Sequence, residues 1–552
     1  MDHQQAAELL RQRAGRPVAP RLVEQLLRRT DADPTVLEAI LDQVDTDADG
    51  LHRVPLRWPD ELADPARVSM LSLSPDSRAV VGAAAVIGRE FDLAILEGVC
   101  PGGDVLGGLE DGVTAGLIRE QGPQVYAFVR ALGREVCYDT LGPRQRAELH
   151  ERVAAVLARL GALGGVRAAT VQELAYHTAE AAALGGRQRL DAAVAAAATA
   201  AAAALEDAAY DLAAGYFAQA ALFAGRAGWA PEQSGRLLAA AGTARLRGAS
   251  GAGARDAGRA SLTGAIRLGL RAGDHGLVAA AALGLGPRPT LGALAGDAAP
   301  PPDPVRLDAL RDACATLPAT GLPPEQHSAA ARLMSRLAYE TGRPELARRA
   351  LDLARTGGDP RAVAEALLAV GGELDQVVRE AVALGDEELL ARAYDLAAAE
   401  AVRRGQTGRA AALLERLAAL ADLRAAALVR WYALRAAAEL AALRGTPDAA
   451  AAARALAAGQ AVAPAAADAA DAALRRWTGP KAGPGRANPA GLTAREREVL
   501  VWALRGTPAK EIASALVLGE RTVETHLASI YRKLGVRTRI ELIRKLGDGS
   551  GL

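Results

Sequence analysis

Lysine is almost missing from this 552-residue chain. Of 65 basic residues only four are lysines (Lys481, Lys510, Lys533 and Lys545), all within the last 72 positions. A phosphate loop of the GxxxxGK[ST] kind needs a lysine on the phosphates, so residues 1–480 hold no such loop. Cysteine is as scarce. Cys100, Cys137 and Cys314 lie far apart, which excludes a disulfide framework and a CxxC metal pair. Aromatic residues make up only 3% of the chain, and its apolar mass is mostly Ala and Leu, which favours helix over sheet. No apolar run reaches 18 residues, and the start, MDHQQAAELLRQR, lacks the apolar centre of a secretion signal. These absences describe a mostly helical chain of a reducing compartment, expected in the cytoplasm with no membrane partner.

What is present is enough for several cores. Half the residues are hydrophobic and 24% are charged, so the chain is not a disordered one. At about 150 residues per domain the length gives three to four domains. The net charge is zero, yet Asn488 to Gly547 carry 11 Lys+Arg against 6 Asp+Glu, a balance of +5 that leaves −5 on the remainder. Such asymmetry points to a basic terminal module that meets a polyanion, attached to a body with another task.

Residues 1–55 read as short helices, one with Asp33 as N-cap and Pro34 in its first turn. Pro55, Pro59 and Pro65 read as breaks in a linker. Residues 56–160 are mixed: AVVGAAAVIG is a buried segment, and AGLIREQGPQVYAFV reads as two strands around Gln121-Gly122-Pro123, a wing-like hairpin. From 161 to 477 the pattern is a helical solenoid. Its junctions Gly273-Asp274, Gly358-Asp359-Pro360 and Gly385-Asp386 share one logic: glycine ends a helix in the left-handed region and aspartate caps the next. Their irregular spacing gives degenerate helix-hairpin repeats without a fixed period. A Pro/Gly-rich stretch at 284–304 reads as a break in the solenoid, and 478–489 as a linker.

Beyond that linker, Thr493-x-x-Glu496 is a capping box opening a helix that Gly506 can end. Thr507 and Pro508 open a second helix, from Ala509 to Leu516. A third begins near Glu520, with Val523, Leu527, Ile530 and Leu534 on one stripe and Arg521, Glu524, Thr525, Ala528 and Arg532 on the opposite face. Two short helices, a tight turn and a basic-flanked following helix make a helix-turn-helix, whose second helix enters the major groove.

The elements T-x-R-E-x-E-V-L, K-E-I-A, T-V-x-x-H and K-L-G-V, in register over about 60 residues, resemble the LuxR-type helix-turn-helix. The resemblance implies a four-helix DNA-binding domain at 490–552. Its third helix would read bases, and Arg539 to Leu546 would carry dimer contacts. Gly519 stands where the family usually has a Ser cap, and Glu524 and Ala528 where Lys or Arg is common. Glu524 suits cytosine N4 and Thr525 a thymine methyl; Ala528 and Arg532 share that face. Lys510, Arg521, Lys533 and the amides near Thr522 are the expected phosphate contacts.

The pieces AAAVIGREFD, LEDGVTAGLIRE, YAFVRALGREVCYDTL and RAELHERVAAVL resemble the winged-helix segment of large ATP-binding LuxR-type regulators, which continue into a tetratricopeptide-like sensor. The resemblance makes 1–55 a remnant of nucleotide-domain lid helices. The P-loop ATPase is absent, Thr30-Asp31-Ala32-Asp33-Pro34 replaces T-x-G-N-P, and Arg130 replaces a histidine associated with nucleotide sensing. This implies an ATPase-less derivative, or a sequence begun too far downstream, with no cofactor expected.

Other features read blandly. DTDADG at 45–50 imitates half a calcium loop, but its twelfth position is Leu56. His150, His177 and His327 stand apart from Cys and carboxylate partners at ligand spacing and read as core or surface histidines, His526 as a packing residue, and Trp431-Tyr432 as buried core more than groove lining. Without a triad, metal cluster or phosphate loop, no enzyme is expected. The sequence therefore predicts a mostly all-α transcription regulator that binds double-stranded DNA as a homodimer and receives a protein or small-molecule effector at the solenoid. The alternative is an interaction scaffold with a weak or vestigial DNA-binding domain.

Overall fold

The computed structural model describes residues 3–14, 60–162, 171–248, 251–296, 302–318, 322–421, 425–478, 493–504, 507–516 and 518–536, with isolated positions between 23 and 37 and at 538, 541 and 542. Two compact units divide the chain: Met1–Arg288 with Pro302–Val370, and Pro289–Pro301 with Gly371–Leu552. The architecture is the mostly all-α one expected, with three short strands among the described residues. The 45–50 segment and the 478–489 linker lie outside them, apart from Thr478.

The first unit opens with α1 (His3–Ala14), then α2 (Asp60–Ser72) and α3 (Pro75–Ile87). Pro65 was expected to break a linker and instead lies inside α2. Proline there forfeits one main-chain bond, and burial of Ala63 and Met70 on the same helix offsets it. Ser74 caps α3 by accepting from the Ser77 amide at 3.0 Å, and Pro75 supplies a fixed φ at the first position. The run Val80 to Val86 is buried, as its apolar sequence requires.

Strand β1 (Glu90–Asp92), helices α4 (Leu93–Val99) and α5 (Val105–Thr114), and the hairpin β2 (Ile118–Gly122) and β3 (Val125–Phe128) follow. The sheet is antiparallel in the order β1-β3-β2, with Phe91 opposite Tyr126 and Ile118 opposite Phe128. The hairpin sits where the sequence placed it, although the turn falls on Pro123-Gln124, with Gln124 at φ 64°. Helices α6 (Ala131–Asp139) and α7 (Pro143–Ala162) close this core around Phe91, Leu96, Phe128 and Tyr138.

The altered lid segment is tied to α6. Arg130 precedes that helix without capping it, and the Asp31 carboxylate accepts from the Ala131 amide at 2.7 Å while pairing with Arg89. Both Asp31 and Ala32 sit at φ 55°, in the left-handed region. Pro34 is helical and the Leu37 amide bonds to Asp33 O at 3.0 Å, so a helix does begin there.

His150 and His177 are core histidines, and they pair with each other. Helices α6, α7 and α8 (Val171–Ala181) bring them together: the Tyr138 hydroxyl meets His150 Nε2 at 2.9 Å, and His150 Nδ1 meets His177 Nδ1 at 2.8 Å. Between the two Nδ1 atoms one nitrogen donates and the other accepts. Both rings are buried, and burial drops the His177 pKa to about 4.

The solenoid of this unit continues through α9 (Arg187–Glu206), α10 (Tyr210–Arg226), α11 (Pro231–Gly248), α12 (Ala252–Ala272), α13 (His275–Gly284), α14 (Pro304–Ala315), α15 (His327–Thr341), α16 (Pro344–Gly357) and α17 (Pro360–Val370). Each helix packs on the next. Small residues line the contacts: α9 buries Ala193, Ala197, Ala200, Ala201 and Ala204. Helices α11 and α12 touch at Gly242 and Gly258, where a Cβ on Gly242 would lie 2.7 Å from Leu262 Cγ and 2.8 Å from Gly258 O.

In the second unit the helices are α18 (Leu374–Leu384), α19 (Glu387–Arg403), α20 (Thr407–Ala418), α21 (Ala427–Leu443), α22 (Ala449–Val462) and α23 (Pro464–Thr478), followed by the C-terminal helices. The junction logic holds in both units. Gly273, Gly358 and Gly385 sit at φ 69°, 68° and 63°. Asp274 and Asp386 accept from the amides of Leu277 and Leu389 at 2.9 and 3.0 Å, and Asp359 from that of Arg361 at 2.9 Å. The two units divide within the 284–304 stretch, after Arg288 and again before Pro302. Thr290, Leu291, Ala293 and Leu294 are buried, and a one-turn 3₁₀ helix, Ala293–Ala295, packs on α19, α21 and α23. Trp431 and Tyr432 are buried core, as read.

Candidate nucleic-acid interface

Among the described residues the C-terminal domain has helices α24 (Ala494–Leu504), α25 (Ala509–Leu516) and α26 (Glu520–Leu534). The capping box forms reciprocally, the Thr493 amide donating to Glu496 Oε2 at 2.6 Å and the Glu496 amide to Thr493 Oγ1 at 3.2 Å. Arg495 then reaches across and donates to the Leu516 carbonyl at 2.9 Å, meeting the negative end of α25 with a cation. Thus the T-x-R-E opening is a piece of local architecture in which each polar residue has a task.

The core joins Val499, Leu500 and Ala503 to Ile512 and Ala513, and to Val523, Leu527 and Ile530 of α26. Gly535 ends α26 at φ 65°, a conformation that disfavours a side chain, and the Val536 amide returns to the Tyr531 carbonyl at 3.0 Å. The K-L-G-V element is therefore the stop of this helix. Of the expected fourth helix, only Glu541 and Leu542 lie within the described residues. Both are helical, and Leu542 is buried.

With that stripe inward, Arg521, Thr522, Glu524, Thr525, Ala528 and Arg532 are exposed together, and Lys510 is exposed on α25. His526 is half-buried, consistent with packing. The Thr525 hydroxyl donates to the Arg521 carbonyl at 2.8 Å, so its polar atom is spent on its own helix. Gly519 precedes α26 in an extended conformation, φ −74° and ψ 143°, and offers no side chain to the first-turn amides. Those amides and the positive helix end favour an anion there.

Lys533 is placed differently from its neighbours. It is half-buried, with Nζ 2.6 Å from Glu496 Oε2. That lysine, Ser529 and the Thr493 amide hold the Glu496 carboxyl down at about 2. Sequence reasoning assigned Lys533 to phosphate and missed this cross-link. It also missed the Arg495 bond to Leu516, which a basic residue at a helix start does not advertise. Among the described residues no three His, Cys, Asp or Glu side chains gather to hold a metal ion, and no helix is long and apolar enough to cross a membrane.

Comparison with known proteins agrees with this geometry. The family of bacterial regulatory proteins, luxR family, matches residues 490–546. The transcriptional regulatory protein UhpA of Escherichia coli is 45% identical over 65 residues, 12% of this chain and 32% of that protein. The transcriptional activator protein BjaR1 of Bradyrhizobium diazoefficiens is 48% identical over 52 residues, 9% of this chain and 22% of that protein. The chain thus spans a third or less of the length of these relatives. Among solved structures, a signal transduction ATPase with numerous domains and a tetratricopeptide repeat sensor, from Pyrococcus horikoshii, aligns over 87% of this chain and 70% of its own, with 14% identity and a TM-score of 0.40. The capping box, the buried stripe and the family match converge on one statement: the C-terminal domain of this chain is a LuxR-family helix-turn-helix.

Proposed function

We propose that this chain is a transcription regulator that binds duplex DNA sequence-specifically through its C-terminal domain, with the helical solenoid as sensor or protein-interaction region. The observation that carries the reading is the solvent-facing side of α26. Arg521, Thr525, Ala528 and Arg532 lie outward while Val523, Leu527 and Ile530 close the core behind them. In this reading Lys510, Arg521 and the amides near Thr522 meet phosphates, and Lys533 does so only in competition with Glu496. Glu524 faces cytosine N4 and the Thr525 methyl a thymine methyl, with Ala528 and Arg532 alongside. Two copies would set their recognition helices about one helical turn apart on the operator.

Fluorescence anisotropy of the full chain tests this. The duplexes are the gene's own upstream region and a scrambled control, each at several salt concentrations. Lys510→Ala should weaken binding to both and reduce the salt slope by about one. Thr525→Ala should change preference at one base position more than overall affinity. A second reading, an interaction scaffold with a vestigial DNA-binding domain, is favoured by Glu524 and Ala528 in place of basic residues. Equal, salt-sensitive binding to both duplexes would select it.

A further inference from the structure

Within the first unit, helices α15 and α17 bring three arginines onto one carboxylate. Arg332 and Arg336 stand four residues apart on α15, and Arg361 and Glu365 four apart on α17, so each pair shares a helix face. Arg332 Nε donates to Glu365 Oε1 at 3.1 Å, Arg336 Nε to Oε2 at 3.1 Å, and Arg361 Nε lies 3.6 Å from Oε1. Arg336 also donates from Nη1 to the Leu283 carbonyl at 2.6 Å, in the last turn of α13, where a cation suits the helix end. The three guanidinium groups lie at different depths. The Glu365 side chain is 5% exposed and that of Arg336 10%, whereas Arg332 is 20% and Arg361 33% exposed. Asp359, two residues before Arg361, accepts from the Arg361 amide at 2.9 Å and from the Ser328 hydroxyl, so its charge is spent on the start of α17.

Glu365 answers one of these three charges and leaves two. Burial, together with the charges of Arg336 and Arg361, pulls the Arg332 pKa below its ordinary value in spite of Glu365 beside it. The buried arginine of the second unit behaves oppositely. Burial works against the charge of Arg435 too, but Asp395 at 2.6 Å and Glu439 outweigh it, and its pKa is raised. An arginine held close to two like charges and open toward water is arranged for an anion that comes from solution. A carboxylate offers two oxygens in one plane, and Glu365 already supplies these; a phosphate group offers three on a tetrahedral centre and carries about two charges. We infer that Arg332 and Arg361 form the accessible face of an anion site in the solenoid, that Arg336 and Glu365 hold them in place from behind, and that the ligand is a small molecule bearing a phosphate group. The inference names a ligand class for the solenoid and rests on its proposed role as sensor for any effect on regulation, though not for the binding itself.

Isothermal titration calorimetry of the full chain, without DNA and at matched ionic strength in sodium chloride, tests this with two probes, inorganic phosphate and methyl phosphate. Saturable binding to a single site is expected, and Arg332→Gln and Arg361→Gln should each weaken it about ten-fold or more. Tighter binding of methyl phosphate would identify an ester as the ligand; tighter or equal binding of inorganic phosphate would identify the free anion. No saturable heat with either probe would overturn the inference. So would binding that both arginine variants retain in full, because the anion would then sit elsewhere, as on the C-terminal domain. Should Arg332→Gln fail to fold, Arg361→Gln decides alone, since that side chain is the most exposed of the three. With no DNA in the cell, a failure of phosphate binding and a failure of operator binding are separate results.

Discussion

Lys533, near the end of α26, reaches back to Glu496 in the first turn of α24, so that the two ends of the motif are joined by one ion pair. The Glu496 carboxylate already serves the Thr493 amide, and the lysine adds a tertiary contact to a local cap. The folded-state pKa of Glu496, about 2, lies below its ordinary 4.5, so the stabilisation is present above pH 4.5 and lost as pH falls toward 2. Lys533→Met should raise hydrogen exchange in α24 and α26 at pH 7 and flatten its acid dependence. Unchanged exchange in α24 would contradict the cross-link. In DNA binding the same variant should alter the salt slope less than Lys510→Ala does.

Gly519 occupies an N-cap position whose backbone suits serine, and a Cβ there meets only Thr522 Oγ1, at 3.5 Å. Gly519→Ser should supply the missing acceptor and stabilise the domain by about a few tenths of a kcal/mol. Chemical denaturation of the two full-length proteins reads this directly; a lower midpoint for the serine variant would count against it.

The buried His150–His177 pair makes the first unit acid-sensitive. Burial depresses His177 from 6.5 to about 4, with the Arg134 charge adding to it, so the neutral ring is native. His150 and Tyr176 are the other polar groups against it, and Tyr138 bonds the far nitrogen of His150. A base with a depressed pKa contributes stability above pH 6.5 that is lost as pH falls toward 4, roughly 3 kcal/mol over that window. Denaturation midpoints at pH 7.5, 6 and 5 should fall, and His177→Gln should show a shallower fall.

Ala32 stands at φ 55°, where LuxR-type ATPases carry the glycine of T-x-G-N-P. Ala32→Gly should relieve about 1 kcal/mol of backbone strain. The Asp31–Ala131 and Asp31–Arg89 contacts should then be better protected, seen as slower exchange at the start of α6. Faster exchange there would show that chain entropy outweighs the strain.

The C-terminal domain was legible because its signals are local. A capping box, a stripe at spacings of 4, 3 and 4, and a stop glycine each act within one helix. The Gly-Asp junctions and the hairpin at Gln121-Gly122-Pro123 were legible for the same reason. What escaped was tertiary. His150 and His177 are 27 residues apart on different helices, and nothing near either announces the other. Lys533 was read from its helix face alone, although its long side chain leaves that face for Glu496. The 284–304 stretch reads as a break because proline and glycine report only the backbone's lack of regular structure. They do not say that Tyr432, Arg435 and Glu439, more than 140 residues on, supply the missing hydrogen bonds.

The contact between Gly242 and Gly258 limits which changes this solenoid tolerates. Growth of even one carbon at Gly242 meets Leu262 and the Gly258 carbonyl, and must push α11 and α12 apart. Backbone cannot rotate out of the way as a side chain can, so the separation of these two helices is set by the absence of a side chain at that one position.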